Sequence, residues 1–244
     1  MKQETVVFVS DDHVPYQDDA TFLCRLNAIR LLKPDVVFLG GDHCDFYQVS
    51  KFNQTPDRLA KLQDDIDGTH ALIRGYREAA GPRCRMFFLE GNHEERLNKF
   101  VLRNAMALWS LRSLSLPSLL GLQPLKIAYV QPGYMEYRGV VFKHGNLASK
   151  KSGYTAYREM DDWWRSGVSG HTHRLSEVWK TAGQGDIVWT EAGCGCVPLD
   201  YVKGKPADWQ AGFVYGYLTD TTWTPFPVKI TKGRAIVNGE EVSA

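Results

Sequence analysis

The sequence predicts an α/β protein in which two mixed β-sheets pack face to face between outer layers of helix. Three observations predict it. Short apolar runs that stop at Gly, Asp or Asn alternate with helical periodicity over the first third of the chain, which reads as buried parallel strands with crossover helices. A second group of short runs lies in the middle of the chain. From Gly167 onward the pattern is β-rich, with hairpin signals.

The elements follow in order. Val6-Val7-Phe8-Val9 runs into Ser10-Asp11-Asp12-His13. Ala20 to Leu32 has helical spacing, with Phe22, Leu23, Leu26, Ile29 and Leu32 apolar and Pro34 as its stop. Val36-Val37-Phe38-Leu39 then breaks at Gly40-Gly41 and delivers Asp42-His43-Cys44-Asp45. Asp57 to Ala80 reads as a second helix, with Leu59, Leu62, Ile66 and Ile73 on one face and Gly81-Pro82 as its end. Met86-Phe87-Phe88-Leu89 leads into Glu90-Gly91-Asn92-His93-Glu94, completing β-α-β-α-β with right-handed crossovers expected.

Glu95 to Leu122, rich in Leu, Met and Trp, is expected to be helical, an insertion spanning about 95–125. It suits packing on the sheet, a cap over a pocket, or a surface through which two copies assemble. Ile127–Val130, Tyr134–Tyr137 and Gly139–Phe142 read as strands, the last two joined at Arg138-Gly139 and followed by Lys143-His144-Gly145. Ser152 to Arg165 reads as a helix, and Val168 leads into Ser169-Gly170-His171-Thr172-His173. Strands are expected over Glu177–Lys180, Ile187–Thr190, Phe213–Leu218, Val228–Ile230 and Ala235–Val237, with Lys232-Gly233 and Asn238-Gly239 as turns. No linker or repeat marks a boundary, so one domain over 1–244 is expected, with a β-rich part over about 167–244.

Composition narrows the function classes. Hydrophobic residues make up 43% and charged residues 23% of the 244, as in ordinary globular proteins. A formal net charge of +1 gives no bulk field for nucleic acid or anionic membrane, so a nucleic-acid substrate needs a local basic patch. No stretch has the apolar length of a membrane span. The first strand begins so early that no signal peptide is expected. Five cysteines, Cys24, Cys44, Cys84, Cys194 and Cys196, lack zinc-ribbon or secreted-scaffold spacing, so reduced thiols in a cytoplasm are expected.

Polar residues collect at the strand ends, where ligands bind in open α/β sheets. They are Asp11, His13, Asp42, Asn92, His93, His144, His171 and His173. Carboxylate, amide oxygen and imidazole together suit Mn²⁺, Fe²⁺ or Zn²⁺, and the lack of clustered cysteines argues against a structural zinc. The set is large enough for two metals if one carboxylate bridges them. Two such cations polarise a phosphoryl oxygen and generate a metal-bound hydroxide, and a histidine can protonate the leaving oxygen.

In this order the blocks Asp11-x-His13, Gly41-Asp42-x-x-Asp45, Gly91-Asn92-His93-Glu94, His144-Gly145 and Gly170-His171-Thr172-His173 resemble the calcineurin-like metallophosphoesterase superfamily. The resemblance implies a four-layer αββα sandwich with a dinuclear metal centre. Asp11, His13 and His173 would hold the first metal and Asn92, His144 and His171 the second, with Asp42 bridging. His93 would stabilise the phosphate and protonate the leaving group, with Asp45 orienting a neighbour and Glu94 in support. Manganese is the favoured metal; iron, zinc, nickel and magnesium also suit the set. Protein phosphatases of the superfamily continue the second block with Asp-Arg-Gly. Here Asp45 precedes Phe46-Tyr47, and the arginine pair that grips a phosphoprotein is not evident.

The segments Gly193-Cys194-Gly195-Cys196, Asp200-Tyr201 and Trp209 to Phe213 resemble phage and prophage members and carry no assignable chemistry. The expected activity is phosphoester hydrolysis through a metal-bridging hydroxide, on a phosphodiester in nucleic acid or nucleotides, in the cytoplasm (a host cytoplasm for a phage protein). A phosphomonoesterase of small metabolites and a non-catalytic metal-binding scaffold are the alternatives.

Outside this set, His43 is expected to point away from the site and His70 to lie at the surface or cap a helix. Arg174 is a candidate phosphate contact. Lys143, Lys150, Lys151 and Arg158 read as a solvated face or a nucleic-acid track. Trp109, Trp163, Trp164 and Trp209 suit core packing better than base stacking. Cys194 and Cys196 read as a tight turn near the site in preference to a redox or metal pair.

Overall fold

A computed structural model describes residues 2–51, 61–183, 185–199 and 207–244. Its first sheet is made of β1 (Glu4–Val9), β2 (Val36–Leu39), β3 (Arg85–Leu89), β4 (Ile127–Val130), and two late strands. The second contains β5 (Tyr134–Tyr137), β6 (Val140–Lys143), β7 (Gly167–Ser169), β8 (Leu175–Ala182) and β9 (Gly185–Ala192) in the order β5-β6-β7-β9-β8. The late strands β10 (Gly212–Leu218) and β11 (Trp223–Lys229) complete the first sheet as β11-β10-β1-β2-β3-β4, and β12 (Arg234–Val237) with β13 (Glu240–Ser243) forms a separate hairpin. The helices are α1 (Asp19–Leu32), α2 (Leu62–Ala80), α3 (Glu94–Asn104), α4 (Leu116–Leu119) and α5 (Tyr154–Trp163).

Alternation along each strand sorts the core into three interfaces, because successive side chains leave opposite faces of a sheet. Val7, Val9, Val37 and Leu39 join Ile29, Ile73 and Tyr76 of α1 and α2. Their neighbours Val6, Phe8, Val36 and Phe38 meet Val140, Phe142, Val168 and Val188 between the two sheets. Val141 and Trp189 pack on Ala156 and Met160 of α5. Helix, sheet, sheet, helix is therefore the observed layering. Phe38 and Phe142 stack at 4.1 Å across the sheet interface, a contact whose area and geometry both favour the sandwich.

Local signals explain the element ends. Asp18 caps α1 by accepting from the Thr21 amide at 2.6 Å, and Lys33 closes the helix in the left-handed region before Pro34. Asn238 and Gly239 both have positive φ and make the β12–β13 turn, as that dipeptide predicts.

Two expectations need correction. The 95–122 stretch is not one helix: α3 ends at Asn104, Ala105 leaves helical geometry at φ −150°, and short 3₁₀ turns lead to α4. Leu97, Leu116, Leu120 and Leu122 are buried against the sheet, whereas Met106, Leu108, Trp109 and Leu111 are exposed. The second helix starts at Leu62, after extended Lys61, and Leu59 lies outside the described residues. The β-rich part from Gly167 onward divides between the two sheets, since β10 returns to pair antiparallel with β1. Among the described residues no helix is long and apolar enough to cross a membrane.

For the site, register matters most. Parallel pairing aligns Val9 with Leu39 and Leu39 with Phe88, and in the other sheet Lys143 with Ser169. The loops that follow all emerge at one rim.

Candidate metal centre

Backbone hydrogen bonds stitch neighbouring loops together at the rim of each sheet. The Asp11 amide donates to Gly41 O at 3.0 Å, the His13 amide to Asp42 O at 2.9 Å, and the Gly170 amide to His144 O at 2.8 Å. Gly41 has φ +86°, and a Cβ there would lie 2.8 Å from the Gly91 backbone and from His144 Nδ1. Only glycine permits so close an approach.

Asp11, His13, Asp42, His171 and His173 all hold φ between 51° and 69°. Non-glycine residues rarely enter this region, and each costs about 1–3 kcal/mol that the surrounding fold must offset. Their shared strain is local to the rim. It turns all five side chains toward one point.

Two groups of donor atoms result, with Asp42 common to both. In the first, His173 Nε2 lies 3.2 Å and His13 Nε2 3.8 Å from Asp11 Oδ1, and the two Nε2 atoms are 3.0 Å apart. Asp42 Oδ2 is 3.9 Å from His13 Nε2. In the second, His144 Nε2 lies 3.2 Å from Asp42 Oδ2 and 3.1 Å from Asn92 Oδ1. His171 joins Asp42 and His144 with donor atoms within 4.8 Å of one another. All seven candidate ligands are thus brought together.

The chemistry of the set fits divalent cations. His144 Nδ1 faces the Gly40 carbonyl at 2.8 Å, and a carbonyl only accepts, so this nitrogen carries the hydrogen and Nε2 presents its lone pair inward. The Nε2 atoms of His13 and His173 face each other and the Asp11 carboxylate, and with the hydrogen of each neutral ring on Nδ1 their lone pairs would converge where a cation satisfies all three groups. Burial pushes the Asp42 carboxyl up, but the imidazoles of His144 and His93 hold it well below the usual range. Asp11 is likewise held down against burial by His173 and His13. Burial lowers His144, yet Asp42 and Asp11 raise it to about 9, so the pocket favours positive charge. His171, lowered to about 4 by burial and by His144, stays neutral near pH 7.

His93 lies beside both groups, its ring 4.4 Å from that of His13, and has donor atoms within 4.8 Å of His13 and Asp45. Its Nδ1 lies 2.8 Å from Asp45 Oδ1 and 3.0 Å from the Asp45 carbonyl, both acceptors, so Nδ1 carries the hydrogen. Its Nε2 is 3.8 Å from Asp42 Oδ2 and accepts from Arg96 Nη2 at 2.7 Å. Asp45 Oδ1 also faces His13 Nδ1 at 3.3 Å, so one carboxylate orients two rings. Glu94 accepts the amides of Asp42, His43 and Gly91 at 2.8–3.0 Å and fixes the loop that carries Asp42.

Sequence reasoning missed Arg96 and a buried network behind the site. Arg25 donates to Asp12 Oδ1 at 2.8 Å and to Gly212 O at 3.0 Å, and Tyr76 donates to Asp12 Oδ2 at 3.1 Å. His43 belongs to this network, 2.7 Å from Asp12 Oδ2, and points away from the donors as strand alternation predicts. These partners sit far apart in sequence, so no local pattern signals them.

Other expectations fare unevenly. Arg174 binds Asp208 Oδ2 at 3.2 Å and the Ser149 carbonyl, and so is engaged by loops. Lys143 is buried against Glu159 at 2.8 Å and takes no part in a surface track. His70 faces the Leu120 carbonyl at 2.9 Å. Trp109 and Trp164 are exposed, against the expectation of core packing, while the Trp209 ring meets His173 edge-on at 4.1 Å. Asp200-Tyr201 lies outside the described residues.

Comparison with known proteins adds relatives over nearly the whole chain. The gene 54 protein of Mycobacterium phage D29 is 25% identical and that of Mycobacterium phage L5 27% identical, each alignment covering 96% of both chains. Among solved structures, vacuolar protein sorting 29 of Cryptosporidium parvum is 12% identical with a TM-score of 0.49, covering 99% of this chain and 96% of the other. A predicted phosphoesterase of Streptococcus pneumoniae is 15% identical with a TM-score of 0.41, covering 100% and 99%. Residues 4–180 match the family described as calcineurin-like phosphoesterase, and the chain belongs to that family.

Proposed function

We propose that this metal-dependent phosphoesterase hydrolyses phosphodiesters, in nucleic acid or nucleotides, at a centre of two divalent cations bridged by Asp42. The observation that carries the substrate class is a groove of about 570 Å³ that begins at Asn92 and Arg96 and continues along α3 past Lys99 and Arg103. Residues 96, 99 and 103 share one helix face by their spacing. A phosphomonoester has no second arm to place. A diester has one, and a cationic groove beside the donors suits an anionic chain. Phe100, half exposed in the same groove, offers a ring on which a base can stack.

In this reading Asp11, His13 and His173 hold the first cation and Asn92, His144 and His171 the second, with manganese favoured. When bound, the cations neutralise charge on the phosphoryl group and acidify water. Asp45 holds His93 through Nδ1 and aims Nε2 at the reacting phosphate. Arg96 covers Nε2 and also lines the groove, so a phosphate oxygen that draws the guanidinium away exposes Nε2. The ring can then carry the proton required by the leaving oxygen. We assign the reaction to a host-cell cytoplasm, since the relatives are phage proteins.

Turnover of bis-p-nitrophenyl phosphate and p-nitrophenyl phosphate in Mn²⁺ tests the proposal. Faster hydrolysis of the diester is expected. Clear preference for the monoester rejects the diester assignment.

A further inference from the structure

Beyond the donors already assigned, the loop after β9 brings a sulfur to the centre. The Cys196 thiol and ring nitrogens of His13 and His173 lie within 4.8 Å of one another, all three residues buried. The placement is built by backbone contacts on either side. The Gly195 amide donates to Asp11 O and the Val197 amide to Tyr16 O, each at 2.9 Å. Gly195 presses against the buried Asp12–Arg25 pair so closely that any Cβ there would strike both side chains. A side chain at 195 would lift the loop and carry Cys196 off the site. Cys194, two residues earlier, is placed differently: its thiol faces the carbonyls of Gln210 and Cys196 at 3.8 and 3.9 Å.

We infer that Cys196 is a further protein donor to the first cation position, beside Asp11, His13, His173 and Asp42. The inference rests on the two-cation reading above and deepens it. Binding breaks the S–H bond, releases the proton to solvent and leaves the sulfur's electron pair on the cation. Among the described residues no cysteine joins the group of Asp42, His144 and His171. The two positions therefore differ in softness. Thiolate donors select zinc or ferrous iron, whereas carboxylate, amide and imidazole accept manganese as readily. The first position takes the softer ion, and manganese suits the second.

The test uses the full chain and three metals. Titration with Co²⁺ should produce a sulfur-to-cobalt charge-transfer band in the near ultraviolet, absent from Cys196→Ser and retained in Cys194→Ser. The preference of the first position for Zn²⁺ over Mn²⁺ should fall about 10- to 100-fold in Cys196→Ser, the scale on which even outer partners of a site alter metal affinity. X-ray absorption of the zinc-loaded wild type needs no variant to fold and should show sulfur at about 2.3 Å. A cobalt spectrum unchanged by Cys196→Ser, or a zinc shell of nitrogen and oxygen alone, overturns the assignment and leaves the two-cation reading standing. A chain that takes up none of the three metals overturns both.

Discussion

Arg96 stands between His93 and the basic groove, its guanidinium donating to His93 Nε2 at 2.7 Å. Arg96→Ala is expected to lower kcat/KM for bis-p-nitrophenyl phosphate about 10- to 100-fold, the worth of a charge-assisted hydrogen bond. Metal content by mass spectrometry should not change, because Arg96 is not among the donors. His93→Ala should abolish turnover with metal still bound; loss of both together would make His93 a ligand. A third residue reports on stability instead. Burial pushes the carboxyl of Asp65 up to about 6. The folded chain then holds a proton that the unfolded chain releases nearer pH 4. Asp65 therefore costs nothing below the unfolded value, and its cost grows as pH rises to about 6 and persists above. Asp65→Asn should stabilise the protein near pH 7 by about 1–2 kcal/mol, allowing for solvent screening, and the gain should vanish near pH 4. Urea titration at both values reads this directly. At this scale the donors were legible because each sits in a short motif just after an apolar run. Arg96, Asp12 and Cys196 were not, because what gives them meaning is a partner brought close only by folding.

Helix α1 does more than cover a sheet. Through Arg25 it neutralises Asp12, whose neighbours in sequence are two of the candidate donors, Asp11 and His13. Burial would push Asp12 up, but Arg25 and His43 keep it ionised. Arg25→Met strands a buried carboxylate, and a loss of about 3–5 kcal/mol is expected by denaturant titration. Helix α3 provides the groove. Lys99→Glu with Arg103→Glu should weaken single-stranded DNA binding and reduce the salt slope by about one per lost contact, costing far more on DNA than on a small diester. An unchanged slope would remove α3 from the binding surface. Strands and the two long helices could be read from periodicity and stop signals. The 95–122 stretch misled because leucine and methionine favour helix intrinsically, while its breaks are set by which side chains find the sheet.

At the scale of the molecule, the sandwich is what makes a shared centre. Asp11, Asp42 and Asn92 come from the first sheet and His144, His171 and His173 from the second, so the two groups of donors close only when the sheets pack. The return of β10 to the edge of β1 was not legible, since partner choice between distant strands leaves no mark in local pattern. Asp42 is where both groups meet, and the proposed function requires two cations to share it. Anomalous diffraction from crystals grown with Mn²⁺ tests this most directly. Two peaks about 3.5–4 Å apart on either side of the Asp42 carboxylate are predicted. A single peak, or peaks away from Asp42, would contradict the account.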